Sequence, residues 1–470
     1  MMGLEERVYT ASPPWLRTVL MNAHALRIGA HRYGAPFRAR LEDFDAMGRA
    51  DQAVLDAYQE TRLRAILRMA VVKSAYYREL FAQIGESPDS VGTLATMSRI
   101  PLLSKETVRN RGSELLTSPV ASSGWVHGHT SGTTGSPLSL WYDRPTCIAT
   151  NAVERLQKRW AGVGDDEWVG LLLGRQVVPE HIHAPPYWHA NHVQRQVWFS
   201  SLHLSSDTLP AYVAEIRRRG LRVLEGYPST LYVLARFLLD RGDRLPLRAV
   251  FSSSETLLTV QREAIEAAFS APLFDYYGHA ERTIFAIECV AHEGKHLVSP
   301  FGITEVVDVA GTPVQDGESG FLVGTSLFNT AMPMIRYRTG DVSAIDRSPC
   351  VCGSRFPRIV GVSTKAEDSV VLPDGRWLSP SALTHPFKPF PEIVESQVIQ
   401  ESPQLILVKV VAGDDFTLSR ESALLAALSQ RLGNSVTVRI ERVACIPREK
   451  SGKFRWVISR VSHDLSVSWQ

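Results

Sequence analysis

His127-Gly-His-Thr-Ser-Gly-Thr-Thr-Gly-Ser-Pro137 is a segment dense in hydroxyl side chains and glycine, and it contains no acidic residue. Glycine lets the backbone turn tightly, and successive backbone N–H groups in such a turn form a concave site for anions. The segment leads directly into residues 138–142, which alternate as in a β-strand. A flexible Ser/Thr/Gly linker has the same composition. Because a predicted strand anchors the segment of residues 127–137 at one end, we favour a loop that binds the phosphates of a nucleoside triphosphate over a flexible linker.

The segment of residues 127–137 differs from the common phosphate-binding loop of nucleoside triphosphatases. The common loop carries Gly-Lys-Ser/Thr and is followed by a helix. Here Gly135 is followed by Ser136-Pro137, and the segment contains no lysine. A lysine that serves the phosphates must therefore come from another part of the chain.

Short apolar segments alternate with helical patterns between residues 121 and 340. Such alternation predicts a layered α/β domain with largely parallel strands. In sheets of this kind, ligand loops lie at the carboxyl ends of the strands. The strand candidates are residues 168–173, 223–225, 249–252 and 273–276, and the helix candidates are residues 209–219, 230–241 and 259–269.

The two ends of the chain differ from this central part. Residues 1–95 are predicted to be helical, and apolar positions recur at helical spacing over residues 51–81. The pattern becomes β-rich after residue 300 and ends in a compact αβ unit. A chain of 470 residues is too long for one ordinary core. We therefore expect the α/β class, with a large layered domain carrying a β-rich subdomain (residues 1–363) and a small αβ C-terminal domain (residues 364–470).

The composition is that of a globular protein, with 21% charged and 44% hydrophobic residues and a formal net charge of +2. No basic stripe is interleaved with aromatic residues, so nothing indicates a nucleic-acid partner. No stretch approaches ~18 uncharged apolar residues, so we expect no transmembrane segment and a cytoplasmic location. The basic residues between 27 and 40 form either a solvated helix face, which we favour, or a surface that docks on a membrane.

Five segments together resemble the motifs of the adenylate-forming enzymes, the superfamily of acyl- and aryl-CoA ligases and adenylation domains. They follow the family order: Thr130-Ser-Gly-Thr-Thr-Gly-Ser-Pro137, Asp275-Tyr-Tyr-Gly-His-Ala-Glu281, Tyr337-Arg-Thr-Gly-Asp341, Arg358-Ile-Val-Gly361 and Pro447-Arg-Glu-Lys-Ser-Gly-Lys453. Two further segments, Gly226-Tyr-Pro-Ser229 and Ser252-Ser-Ser-Glu255, are similar to the phenylacetate-CoA ligase-like branch, which includes CapK-like proteins.

The resemblance implies an ATP- and Mg²⁺-dependent reaction in which the carboxylate of a small-molecule acid attacks the α-phosphorus of ATP. Pyrophosphate leaves, and an acyl-adenylate forms. Glu281 would help to coordinate Mg²⁺, a cation that prefers oxygen ligands. Lys453, favoured over Lys450, would neutralise the charge that develops between carboxylate and phosphate. The phosphates would be held by Thr130, Ser131, Gly132, Thr133, Thr134 and Gly135, with Thr133 in the catalytic set.

The resemblance also implies the nucleotide contacts. Asp341 would accept hydrogen bonds from the ribose hydroxyls, and Arg358 would contact ribose or phosphate. Adenine would pack on Tyr277, beside Gly278. The strand end at Ser254 and Glu255 would also lie at the adenine.

The small C-terminal domain would be a mobile lid that rotates between two half-reactions. At the hinge the sequence departs from the family pattern, because Val362 replaces the usual arginine. Lys365 and Glu367-Asp368 are candidates for the shifted hinge residues. Coenzyme A is the expected acyl acceptor. The alternatives are a relative that adenylylates a substrate or transfers the acyl group to an amine or hydroxyl in capsule or natural-product biosynthesis, and a non-catalytic nucleotide-binding member.

Cys350-Val-Cys352 is a pair that can place two sulfurs on one metal. A tetrahedral zinc site needs two more ligands, and Cys289 is the candidate for the third. His292 and His296 compete for the fourth position, and we favour His296. The alternative is free cysteines with unrelated histidines. Several enzymes of the resembled branch carry such a zinc, and a fully ligated site would be structural.

The acid pocket is expected within residues 174–205, where histidine and aromatic residues cluster. It is equally consistent with the sequence that these histidine and aromatic residues form a structural cluster and do not line a pocket. The sequence leaves the acid and the oligomeric state open, a homodimer being one option.

Overall fold

The computed structural model describes residues 4–120, 124–129, 138–174, 177–179, 181–308, 310–363, 370–373, 377–378, 383, 385–387, 389–390, 392–413, 415–446 and 456–461. Six α-helices lie in the described part of the first 120 residues: α1 Leu4–Ala11, α2 Pro14–Arg32, α3 Ala35–Met47, α4 Gln52–Lys73, α5 Ala75–Ile84 and α6 Lys105–Leu115. None of the described helices is long and apolar enough to cross a lipid bilayer.

The helical pattern over residues 51–81 is divided between α4 and α5. The backbone leaves the helical region at Ser74, where φ is −94° and ψ is 129°. The Ser74 hydroxyl accepts a hydrogen bond from the Tyr77 amide and thereby caps α5.

A two-stranded antiparallel hairpin, β1 Val126–His129 and β2 Ser139–Tyr142, flanks the predicted phosphate loop. Strand β2 confirms the strand expected at residues 138–142. Helix α7, Arg144–Trp160, follows directly. Its first turn is capped by Asp143, whose carboxylate accepts hydrogen bonds from the amide and the hydroxyl of Thr146.

In the described part of the chain, twelve strands form one continuous sheet. Strands β5, β3, β6, β7 and β8 are parallel neighbours, and β4 lies antiparallel at the edge. These strands alternate with helices, which confirms the predicted layered α/β architecture. The bounds are β3 Val169–Leu172, β4 Trp188–Asn191, β5 Gln196–Phe199, α8 Leu209–Arg219, β6 Val223–Gly226, α9 Pro228–Leu239, β7 Ala249–Ser253, α10 Thr259–Phe269 and β8 Leu273–Gly278.

The β-rich part continues the same sheet through antiparallel strands. These are β9 Phe285–Ile287, β10 Lys295–Leu297, β11 Gly302–Val307, β12 Gly320–Ser326, β13 Tyr337–Asp346 and β14 Arg358–Ser363. The complete strand order is β11-β12-β13-β14-β10-β9-β8-β7-β6-β3-β5-β4. The expected β-rich subdomain is therefore hydrogen-bonded to the α/β sheet through β9 and β10.

Two core clusters lie on the two faces of this sheet. One contains Leu63, Tyr77 and Leu156 of α4, α5 and α7. The other contains Tyr212 and Phe269 of α8 and α10. Apolar burial on both faces, worth roughly 25 cal/mol per Å² of apolar surface, holds the sheet between two helical layers.

The C-terminal part contains the strands β15 Val370–Val371, β16 Trp377–Leu378, β17 Ile393–Ser402, β18 Leu405–Ala412, β19 Thr437–Arg442 and β20 Val457–Ser459, together with helix α11 Leu418–Leu432. Four of these strands form a separate sheet in the order β19-β18-β17-β20. Leu424 and Leu428 of α11 pack on it, and Leu202 of the large domain joins the same apolar cluster. Strand β14 ends at Ser363, and the predicted boundary falls on residues 364–369, outside the described residues.

Candidate active site

The predicted site residues fall into two groups. Glu281, Tyr277, Gly278, Asp341, Ser254, Glu255, Arg358 and the four zinc-ligand candidates lie within the described residues. Lys453 and the loop residues Thr130, Ser131, Gly132, Thr133, Thr134 and Gly135 lie outside them, so their roles stay predictions. The loop is nevertheless bracketed by described residues, because β1 ends at His129 and β2 begins at Ser139.

The Glu281 carboxylate is buried and held by two hydrogen bonds. The Tyr337 hydroxyl donates to Oε1 at 2.6 Å, and His279 Nδ1 lies 3.0 Å from Oε2. Burial opposes ionisation, but the contacts with His279, the positive charge of Lys105 and the Tyr337 hydroxyl outweigh it and lower the pKa of Glu281 to about 2. The carboxylate is therefore a fixed negative charge at neutral pH.

Lys105, which is far from Glu281 in the sequence, contributes to the lowered pKa of Glu281 through its positive charge. Leu103 forms a parallel β-bridge with Tyr337, and the Leu103 amide donates to the carbonyl of Arg336 at 2.9 Å. This pairing brings α6, which starts at Lys105, to the Glu281 carboxylate. The Ser104 hydroxyl caps that helix by accepting a hydrogen bond from the Thr107 amide at 3.0 Å, as the sequence predicts.

Asp341 is joined to Tyr277 across the sheet. The Tyr277 hydroxyl donates to Asp341 Oδ2 at 2.7 Å. Burial and the nearby Asp341 charge raise the pKa of Tyr277, so its hydroxyl keeps its proton and remains a donor. Tyr277 is the penultimate residue of β8 and Asp341 lies in β13, so the contact joins the two halves of the sheet.

The two pairs form one cluster. The ring of His279 lies 6.1 Å from the ring of Tyr277 and 6.3 Å from that of Tyr337. The structure thus brings together three residues that the sequence singled out, Glu281, Tyr277 and Asp341. Sequence reasoning assigned no role to Tyr337 and His279, although both lie inside the quoted motifs. Lys105 had no local signal, because only the β-bridge of Leu103 brings it here.

The residues predicted at the end of β7 differ from each other in environment. Ser254 is exposed and has a φ of 70°, a left-handed conformation that non-glycine residues uncommonly adopt. The Glu255 carboxylate accepts hydrogen bonds from the amide and the hydroxyl of Ser229, at 3.1 and 3.2 Å, and so caps α9. The predicted adenine contact of these two residues stays a prediction.

Arg358 lies away from the Glu281–Asp341 cluster. Its guanidinium contacts Asp346 Oδ2 at 2.5 Å, Ser348 Oγ at 2.8 Å and Glu293 Oε2 at 3.2 Å. In the register of β13 and β14, Arg358 is opposite Asp346, five residues along the strand from Asp341. At ~3.3 Å per residue that separation is about 16 Å. The structure therefore does not bring Arg358 together with Asp341, and a ribose or phosphate contact stays a prediction.

The four candidate zinc ligands converge. One ligand atom from each of Cys289, His296, Cys350 and Cys352 lies within 4.8 Å of the others. The sulfurs of Cys289 and Cys350 are 3.7 Å apart, and Cys352 Sγ lies 3.4 Å from His296 Nε2. Ligand atoms around a tetrahedral zinc with ~2.3 Å Zn–S bonds are about 3.5–3.8 Å apart.

The histidine at this cluster is oriented by the backbone. His296 Nδ1 lies 2.7 Å from the carbonyl oxygen of Phe356, so Nε2 is directed at the sulfurs. His292, the competing candidate, instead lies 3.2 Å from Glu288 Oε2 through its Nδ1. The backbone amides of Ala291 and Ser354 donate to Cys289 Sγ and Cys352 Sγ, both at 3.4 Å, as suits thiolates.

A cleft of about 1810 Å³ lies between the sheet and helices α2, α3 and α7, and its lining includes Tyr276 and Arg282, the chain neighbours of Tyr277 and Glu281. The region predicted to form the acid pocket contributes only in part. Asn191 and Trp198 line the cleft. Tyr187 is buried against Tyr212, with ring centroids 5.9 Å apart, and His189 Nδ1 contacts the Thr18 hydroxyl at 3.0 Å.

Known proteins resemble this chain in sequence and in fold. Residues 370–460 match the family model described as the CapK C-terminal domain. Protein CapK of Staphylococcus aureus is 23% identical over 409 residues, covering 86% of this chain and 89% of that protein. The phenylacetate-coenzyme A ligase of Thermus thermophilus is 24% identical over 453 residues, covering 86% and 96%.

Among solved structures, a 2-hydroxyisobutyryl-CoA ligase in complex with 2-HIB-AMP and CoA superposes with a TM-score of 0.58 at 19% identity, over 88% of this chain and 91% of that one. The same ligase in its postadenylation state gives a TM-score of 0.56 at 20% identity, with the same coverage. The chain therefore has the fold of these adenylate-forming CoA ligases, is similar in sequence over most of its length to CapK and the phenylacetate-coenzyme A ligases, and matches the CapK C-terminal domain over residues 370–460.

Proposed function

We propose that this protein is an AMP-forming ligase that activates a carboxylic acid with ATP and Mg²⁺, releases pyrophosphate and transfers the acyl group to coenzyme A. The observation that carries the proposal is the cluster in which Tyr337 and His279 hold Glu281 while Tyr277 holds Asp341. Distant segments that resemble one family's motifs thereby meet at the carboxyl end of β8. The homology to phenylacetate-coenzyme A ligases supports the reaction class.

The charges of the cluster fit the reactants. An acid and ATP are both anionic, so catalysis of their reaction depends on charge neutralisation and positioning. Glu281 would hold Mg²⁺, which prefers oxygen ligands and supplies positive charge to the phosphates. Asp341, kept in place by the Tyr277 hydroxyl, would accept hydrogen bonds from the ribose. Lys105 adds a second cation on the Glu281 side of the cluster.

The two lysines of residues 447–453 provide the test of the adenylation step. We expect Lys453→Ala to lower acid-dependent ATP–pyrophosphate exchange by about 100-fold or more, because it removes the charge that stabilises the transition state. Lys450→Ala, three residues away, is the matched control and should retain most of the exchange. Exchange should not require coenzyme A, whereas net AMP release should. Equal activity of the two variants would overturn the role of Lys453, and absence of exchange with every acid would favour a non-catalytic binding protein.

Asp341→Asn is expected to raise the KM for ATP by about tenfold, because a carboxylate accepts stronger hydrogen bonds from hydroxyls than an amide does. The specific signature is a loss of discrimination against 2′-deoxy-ATP and 3′-deoxy-ATP, which lack a ribose hydroxyl. Parallel KM measurements with the three nucleotides check this. If the variant still discriminates like the wild type, Asp341 does not contact the ribose.

We also propose a structural zinc ion held by Cys289, His296, Cys350 and Cys352. The proposal is supported by the mutual approach of the four ligand atoms and by the orientation of His296. Four protein ligands leave no open position on a tetrahedral ion, so the ion would stabilise the fold rather than take part in the reaction. It would tie β10 to the turn between β13 and β14.

A further inference from the structure

We propose that helix α2 docks the protein on the surface of an anionic lipid bilayer, with the helix lying along the plane of the membrane. The observation that carries the inference is the outward side of α2, which is apolar. A surface helix of a globular protein normally turns its polar side chains to solvent and its apolar side chains to the core. Helix α2 instead exposes a row of apolar side chains. The inference is independent of the proposed adenylation.

The apolar row of α2 follows the helical repeat. Trp15, Val19, Ala23 and Leu26 are separated by four, four and three residues, so they lie along one side of the helix. Trp15 is 68% exposed, Val19 54% and Leu26 63%. Of the seven side chains that the described part of α2 exposes, five are apolar. The outward side therefore has the composition of a side that packs against something.

The polar side chains in the same part of α2 are held by the protein. Arg17 is 4% exposed, and its guanidinium donates to two backbone carbonyl groups of α1 at 3.3 and 3.1 Å. Asn22 donates to the carbonyl oxygen of Ala190 in β4 at 2.8 Å, and the Thr18 hydroxyl lies 3.0 Å from His189 Nδ1 in the same strand. These contacts fix the rotation of α2 about its axis. The apolar row cannot turn inward without breaking them.

The charge around the apolar row is positive. Residues 14–41, which include α2 and the first half of α3, contain five arginines and no acidic residue. The whole chain has a formal net charge of +2, so the remaining residues carry −3. Arg27 and Arg38 are exposed, and Arg32 is half-buried. Such charge asymmetry is typical of a chain that binds an anionic partner through one segment.

The carboxylates of the adjoining cleft do not cancel this charge. Ala23, Leu26 and Arg27 line the cleft as well as the outward side of α2, so the two surfaces are continuous. The cleft lining contains seven arginine and lysine side chains against four carboxylates. Three of these carboxylates are each paired with an arginine or lysine, at 2.5, 3.2 and 2.8 Å. The surface beside the apolar row therefore stays cationic.

A bilayer fits this surface better than a second copy of the chain does. A stable protein–protein interface buries about 800 Å² on each partner. Trp15, Val19 and Leu26 together present less than about 500 Å², even if each is given the ~250 Å² of the largest aromatic side chain. Two copies joined through α2 would also bring two arginine-rich segments together, and like charges oppose association.

An anionic bilayer matches both properties of the surface. A helix that lies in the membrane interface buries tryptophan and leucine side chains at the boundary of headgroups and acyl chains, and arginines beside it are attracted to anionic headgroups. Helix α2 has 19 residues and is therefore about 28 Å long. The basic pattern of the sequence by itself favours a solvated helix, whereas the exposed apolar row favours docking on a membrane.

The test is co-sedimentation of the full-length protein with lipid vesicles, without ATP or acid. We expect the affinity for vesicles of phosphatidylcholine with about one third phosphatidylserine to be at least about tenfold higher than for phosphatidylcholine alone. Raising the salt concentration from ~0.05 to ~0.5 M should weaken the binding, because salt screens the attraction of exposed charges. Arg27→Ser/Arg38→Ser should lower the affinity for the anionic vesicles by about tenfold or more.

The matched variants place the same new charge at two exposed valines. Val19→Glu puts a carboxylate in the apolar row and should lower vesicle affinity by at least about tenfold, because the charge opposes insertion. Val72→Glu is the control, since Val72 is 69% exposed in α4, and should bind like the wild type. Circular dichroism should show that both variants fold. Should Val19→Glu not fold, Trp15→Ser, which adds no charge, should still lower the affinity several-fold.

Two other results would overturn the inference. One is absence of binding to the anionic vesicles, or binding that Val19→Glu and Val72→Glu weaken equally. The other is a wild-type dimer, measured by sedimentation velocity, that Val19→Glu dissociates while neither protein binds vesicles. That result would show that a second copy of the chain covers the apolar row.

Discussion

Substitution of Glu281 by glutamine is expected to reduce ATP–pyrophosphate exchange by about 100- to 1,000-fold, the range found when one electrostatic contact to a transition state is removed. Glutamine keeps the size of the side chain and can still accept from the Tyr337 hydroxyl, which donates at 2.6 Å in the wild type. The variant loses the negative charge that would hold Mg²⁺. Exchange measured over a range of Mg²⁺ concentrations should show both a lower maximum and a higher Mg²⁺ requirement.

Tyr337→Phe is the matched control for this prediction. It removes the hydroxyl that orients Glu281 but leaves the carboxylate and its charge, so we expect a loss of only a few-fold to tenfold, as for one hydrogen bond. Circular dichroism and thermal unfolding should show that both variants fold. If Glu281→Gln exchanged as fast as the wild type at every Mg²⁺ concentration, the assignment of the catalytic cluster would be refuted.

The second large effect concerns the zinc site. Cys350→Ser is expected to abolish stoichiometric zinc binding and to lower the midpoint of thermal unfolding by on the order of 10 °C, because structural zinc contributes directly to folding free energy. Cys350 Sγ lies 3.7 Å from Cys289 Sγ, so its loss removes a central ligand. Metal content by mass spectrometry and unfolding with and without a chelator measure the two effects.

Cys445→Ser is the control, because Cys445 is an exposed free cysteine away from the cluster. It should change neither zinc content nor unfolding. The two histidines supply a finer test, since His296→Ala should lose the metal whereas His292→Ala should keep it. A stable wild-type protein that contains no metal would refute the proposal.

Local signals explain what the sequence predicted well. Helices α8 and α10 have the predicted bounds, 209–219 and 259–269, because apolar spacing within a few turns specifies a helix. Strands β6, β7 and β8 fall where short apolar runs predicted them. The motif residues Tyr277, Glu281 and Asp341 were also predicted from local signals, because each is identifiable from its immediate neighbours in the chain.

Other features depended on contacts between distant residues. The β-rich part became a continuation of the central sheet through the pairing of β9 and β10, which no local pattern encodes. Strand β13 starts at Tyr337, directly after Arg336, which has a φ of 49° and whose guanidinium is bound to Glu305 at 2.9 Å. The ion pairs of Arg358 with Glu293 and Asp346 likewise join segments that no local pattern brings together.

The sequence alone therefore predicted the fold class and the motif residues that meet at the end of β8, and it favoured the Cys/His set that the structure brings together while leaving His292 as an alternative ligand. Periodicity and short motifs are local properties of the chain, so they can be recognised without coordinates. Only the tertiary structure decided that Lys105 acts on Glu281 and that Lys158 meets Glu225 in the wall of a large polar cleft. Residues 67 apart in sequence make that ion pair, and their approach is fixed by the packing of α7 on the sheet, a consequence of burying apolar surface over the whole domain.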